Sequence, residues 1–186
     1  MMKNYVRLLF LLTTACCFAT FGACQKKSQD LKVVIIRHGE KPADGDNLDC
    51  AGFNRSLALP KVLYDKFGTA SAIFVPAIKS GSQTKPVRMF QLITPYAVKY
   101  NLAINSTYAV DDHKDLANEI TKLNGVVIVV WEHDNIPKIA KALGIKNPPA
   151  WPGTDFDSIW IITYKKDKAS LATDKEDIKP SSACSF

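Results

Sequence analysis

Two histidines in this chain of 186 residues each follow closely on a short apolar run. His38 comes after Val33, Val34, Ile35, Ile36 and Arg37, and His133 comes after Val126 to Trp131 and Glu132. Runs this short and rich in β-branched residues suit strands buried on both faces. A side chain that follows such a strand is presented at its carboxyl end, where open α/β sheets place their ligands. Arg37 and His38 together offer a permanently charged fork for an oxyanion and a ring nitrogen that can act as a nucleophile near neutral pH. A second arginine, Arg88, falls in the first turn of the helix that Pro86 is placed to open. A cation there opposes the helix dipole, which makes it a poor choice for stability alone. It is either a solvated charge or, with the helix terminus, one side of an anion site. Two histidines and two arginines converging without a set of carboxylate or cysteine metal ligands suit a phosphoryl group.

The elements that must position these residues alternate. After the first strand, Lys41 to Leu48 is rich in turn formers and reads as a loop. A helix starts at Asp49 and stops at Gly68, with Pro60 as an interruption. Ala72 to Val75 is a second strand, Lys79 to Lys85 a polar loop, and the next helix ends near Asn101. Leu102 to Tyr108 is a weaker strand and Asp112 to Leu123 a helix. Val126 to Trp131 is the clearest strand, followed by a helix from Ile136 to Leu143 and a last strand from Ser158 to Tyr164. This order predicts a three-layer α/β/α domain with a mainly parallel central sheet.

Residues 1–24 have the form of a secretory signal, with Lys3 and Arg7 ahead of the apolar run Leu8 to Leu12. Phe21, Gly22, Ala23 and Cys24 resemble a bacterial lipobox, whose cysteine is lipidated; simple cleavage is the alternative. The expected organisation is therefore a signal over 1–24, a domain over 25–164 and a polar, frayed tail over 165–186. The expected location is the bacterial cell envelope, periplasmic or outer membrane, with Cys24 as the only contact to the membrane. Losing the signal removes two basic residues and no acidic one, lowering the formal net charge from +6 to +4. No basic run is dense enough to suggest nucleic acid. Cys50 and Cys184 remain, and an exported compartment lets them pair; the alternative is a buried Cys50 and a free Cys184. Their spacing gives no metal site, and no cofactor is implied.

Arg37, His38, Gly39 and Glu40 resemble the signature of the histidine phosphatase superfamily, the phosphoglycerate mutase-like proteins. The resemblance continues through a Leu-x-x-x-Gly-x-x-Arg segment at Leu48 to Arg55, then Arg88, then His133, and covers Leu31 to Tyr164. It implies the phosphoglycerate mutase-like fold and hydrolysis of phosphomonoesters through a phosphohistidine on His38. Arg37, Arg88 and His133 would hold the phosphoryl oxygens, and the Gly39 carbonyl would orient the His38 ring. The general acid is left among Asp134, which resembles the acid of the phytase branch, Asp111 or Asp112, and Glu132. Asp134 also reads as an N-cap of the following helix. His113 matches no motif and reads as a surface histidine. A non-catalytic phosphate-binding or interaction lipoprotein on the same fold is the alternative function, and a phosphomutase the third.

Overall fold

The computed structural model describes residues 30–78 and 87–184. The signal, Cys24, the Lys79 to Lys85 loop and Pro86 lie outside the described residues. The elements are β1 (Lys32–Arg37), α1 (Cys50–Phe67), β2 (Ala72–Phe74), α2 (Val87–Tyr100), β3 (Ile104–Asn105), α3 (His113–Ile120), β4 (Val126–Trp131), α4 (Ile136–Ala142), β5 (Ser158–Lys165) and β6 (Lys168–Lys175). One sheet has the order β3-β2-β4-β1-β5-β6. β3, β2, β4 and β1 run parallel, while β5 is antiparallel to β1 and β6 to β5.

The apolar runs behave as their composition requires. Successive side chains of a strand point to opposite faces, and both faces here are covered. Val34 and Ile36 pack with Leu59 and Leu63 of α1 and Met89, Leu92 and Tyr96 of α2. Val33 and Ile35 pack with Leu116 and Ile120 of α3 and Ile136 and Ile139 of α4. Val33 to Ile36 have no exposed surface. Burying four such side chains contributes roughly 6–12 kcal/mol before the entropy of ordering them is subtracted.

The structure corrects several sequence expectations. Asp49 caps α1 as expected, its carboxylate accepting from the Gly52 N–H at 2.8 Å. Pro60, however, lies inside α1 without ending it. Helix geometry is retained because Leu59, Pro60 and Leu63 are buried against the sheet, and that burial outweighs one lost ladder bond. The weak strand shrinks to Ile104–Asn105. The segment after Lys165, expected to fray, instead turns through Lys166 and Asp167 into β6, which pairs with β5 over its whole length. Its half-buried Ala169 and Leu171 pack on the core, so a lysine-rich edge strand was hidden by its polar face.

Beyond β6 the chain folds back over the start of α1. Asn54 donates to the carbonyls of Ser181 and Ala183 at 2.8 and 2.9 Å. Cys184 is bonded to Cys50, with Cα atoms 5.1 Å apart, closing a sequence separation of 134 residues. Replacing both cysteines by serine is expected to lower the unfolding free energy by roughly 2–4 kcal/mol in urea titrations. An unchanged midpoint would mean that the pair contributes nothing.

Candidate active site

The site follows from one pairing. β1 and β4 are adjacent, parallel and in register, with Arg37 opposite Trp131. The His38 N–H continues the ladder by donating to the Trp131 carbonyl at 3.1 Å. From β1 the chain leaves to α1 on one face of the sheet, and from β4 to α4 on the other. Diverging connections open a crevice at the carboxyl edge, and His38 and His133 stand on its two sides.

His38 is 4% exposed. Its Nδ1 lies 2.7 Å from the Gly39 carbonyl oxygen. A carbonyl only accepts, so Nδ1 carries the proton and Nε2 keeps its lone pair. Burial lowers the His38 pKa to about 4, with the charges of Arg37, Arg88 and His133 adding to the effect against the Gly39 hydrogen bond. The ring is therefore neutral at physiological pH.

Gly39 and Glu40 rest on the first turn of α1. A Cβ on Gly52 would lie 2.3 Å from the Glu40 carbonyl oxygen, and one on Gly39 3.0 Å from the Gly52 Cα. Two glycines are needed for that approach. The Glu40 carboxylate is held by Arg55, which donates from Nε at 2.9 Å and from Nη2 at 2.7 Å.

Arg37 is 3% exposed and donates from Nη1 to the Gly153 carbonyl at 2.6 Å. Its guanidinium carbon sits 4.0 Å from the centre of the Phe156 ring, whose plane is tilted against His38 at 5.9 Å. Burial pulls its pKa down, opposed by Asp155 and Asp134, and the guanidinium stays charged. Arg88 acts electrostatically on both Arg37 and His38, so the first turn of α2 brings it to the same crevice. His133 directs Nε2 to the Asp134 carboxylate at 3.4 Å. Arg37 Nε and His133 Nδ1 are both buried and have no hydrogen-bond partner among the described residues. Burying an unmatched N–H is costly, and the free Nε–H of Arg37, in a crevice that also feels the charge of Arg88, suits an anion.

The five residues expected from the sequence thus meet: Arg37, His38, Arg88, His133 and Asp134. The Asp134 side chain is 78% exposed, and it does not cap α4, because Asn135 occupies that position. Of the other acid candidates, Glu132 accepts from the Asn135 side chain. Asp112 accepts from the Ala109 N–H at 2.9 Å, and Asp111 is exposed. His113 is not a free surface side chain, since its Nε2 is 2.8 Å from the Asn135 Oδ1. The sequence reading missed the loop Trp151 to Phe156, which closes over Arg37. Its run of Pro152, Gly153 and Asp155 signalled a turn, but its place depends on β5 being antiparallel.

No family model and no curated protein matches this sequence. Solved structures do match its fold. The protein histidine phosphatase SixA complexed with tungstate superposes with a TM-score of 0.58 at 15% identity, covering 78% of this chain and 97% of that one. The fold is phosphoglycerate mutase-like. A putative phosphohistidine phosphatase SixA from Agrobacterium tumefaciens gives 0.57 at 14% identity over 82% of this chain and 100% of its own. A mycobacterial glucosyl-3-phosphoglycerate phosphatase with inorganic phosphate gives 0.56 at 15% over 77% and 95%. All three are phosphatases by name, and the likeness establishes the architecture that this chain shares with them.

Because folding lowers the His38 pKa from 6.5 to about 4, the unfolded chain binds more protons between those values. The contribution of a neutral ring is complete above pH 6.5 and is lost as pH falls through about 4, amounting to about 3 kcal/mol. His38→Ala is expected to flatten the rise of stability with pH across this window, measured by urea unfolding at matched ionic strength. Parallel curves for the two proteins would contradict the buried neutral imidazole.

Proposed function

We propose that the protein is a phosphomonoester hydrolase that works through a phosphohistidine on His38. One observation carries the reading: a histidine whose Nδ1 is pinned to the Gly39 carbonyl presents a neutral Nε2 to a crevice where the buried Arg37 Nε–H and His133 Nδ1 have no partner among the described residues. In this reading the His38 Nε2 lone pair attacks phosphorus in line with the ester oxygen. The phosphorus–oxygen bond breaks as Asp134 gives its proton to the leaving oxygen. Arg37, Arg88 and His133 hold the three equatorial oxygens, where charge spreads in the transition state. Water then attacks the phosphohistidine, Asp134 takes a proton from it, and phosphate leaves with His38 restored. Asp134 is preferred as acid over Asp112 and Glu132 because those two carboxylates accept hydrogen bonds within their own turns. The signal in residues 1–24 supports action on substrates of the cell envelope, with the protein anchored through Cys24.

The test is phosphate release from p-nitrophenyl phosphate and from an alkyl phosphate. His38→Ala is expected to remove activity on both, and acid-labile labelling of the wild-type protein by substrate phosphorus is expected to disappear with it. Asp134→Asn should slow the alkyl ester by roughly 100-fold or more and p-nitrophenyl phosphate by less, since a good leaving group needs little protonation. Full activity in His38→Ala would refute the mechanism. Phosphate binding without turnover on any monoester would make the protein a phosphate-binding one.

A further inference from the structure

The first six residues of α1 carry four separate attachments. Cys50 is bonded to Cys184. Gly52 takes the weight of Gly39 and Glu40, and Asn54 holds the carbonyls of Ser181 and Ala183. Arg55, 3% exposed, donates to Glu40 on one side and from Nη1 to Glu176 at 2.6 Å on the other. Two of the four attachments tie down the C-terminal segment, one supports the loop with His38, and Arg55 joins both.

Glu176 is the residue that closes this link. It follows β6 directly and is 2% exposed. Its N–H donates to the Asp157 carbonyl at 2.7 Å, two residues after Asp155 in the loop that covers Arg37. The Asp157 carboxylate also faces the Arg55 guanidinium, at 3.8 Å from Nη1. Without Glu176, Nη1 of the buried Arg55 would keep only that longer contact, and the guanidinium would be free to rotate away from Glu40. Glu40 shares a peptide unit with the Gly39 carbonyl that orients the His38 ring. Burial is the largest influence on Glu176 and pushes its pKa up to about 8 against the pull of Arg55. The 2.6 Å contact from Arg55 Nη1 needs an accepting oxygen at this position, which a glutamine side chain also supplies.

We propose that Glu176 is a positioning residue: through Arg55 it fixes Glu40, and so holds the Gly39 carbonyl that sets the orientation of His38, with the Cys50–Cys184 disulfide keeping the strap that carries it in place. The inference rests on the phosphohistidine reading for its catalytic consequence, but not for its structural one.

The experiment follows the His38 ring by NMR titration in the phosphate-free protein, alongside kcat and KM for p-nitrophenyl phosphate. Glu176→Ala is expected to move the His38 titration downward by about half a pH unit or more, because the Gly39 carbonyl that favours the protonated ring is no longer held in place. It is also expected to lower kcat about tenfold with KM changed less than about twofold, because the groups that grip phosphate are untouched. Glu176→Gln, which keeps an oxygen for Arg55, is expected to recover most of both effects. Cys184→Ser, which loosens the strap without cutting the ion pair, should shift the titration in the same direction by less, and it serves as the readout if Glu176→Ala does not fold. A His38 titration unchanged in the folded variants overturns the proposal, whatever their melting temperatures. A wild-type protein that releases no phosphate, with the titration shift still present in the variants, would overturn the hydrolase reading alone.

Discussion

The parallel pairing of β1 with β4 is the constraint on which the rest depends. Each strand is buried on both faces, so neither can slip by one residue without turning its side chains into the opposite layer. That register puts Arg37 against Trp131 and carries His38 and His133 past the sheet edge side by side. The chain departs to opposite faces from these two strands. The crevice between them is a result of topology, and the histidines occupy it because they sit at the strand ends.

Charge in this crevice is arranged in two shells with opposite character. Facing inward are Arg37, Arg88 and the histidines, two of them with buried nitrogens left unmatched. Behind them stands a buried arginine surrounded by carboxylates, Arg55 with Glu40, Asp157 and Glu176. The outer cluster restrains the loop mechanically. It also keeps a permanent cation satisfied where an unpaired one would be costly. A neutral His38 is compatible with its cationic neighbours because burial and their repulsion act in the same direction on its proton.

The disulfide and the C-terminal strap add a second restraint at the same place. They gather on the first turns of α1, the helix whose glycine Gly52 touches the motif backbone. Loop and strap are both attached there, so a disturbance of one is transmitted to the other over a few bonds.

The sequence by itself determined the pieces with a local physical signature. The apolar runs Val33 to Ile36 and Val126 to Trp131 could be little else than buried strands, Asp49 could be recognised as a cap, and Arg37 and His38 were fixed at a strand end by adjacency alone. Pairwise placement was decided only by the tertiary structure. β5 carries no mark of direction in its composition, yet its antiparallel course is what brings Gly153, Asp155 and Phe156 to Arg37 rather than to the far edge. β6 and Glu176 looked like a solvated tail because an edge strand is half polar, and a buried glutamate becomes tolerable only beside an arginine 121 residues earlier in the chain. Such partners satisfy one another through space, and spacing along the chain holds no trace of them.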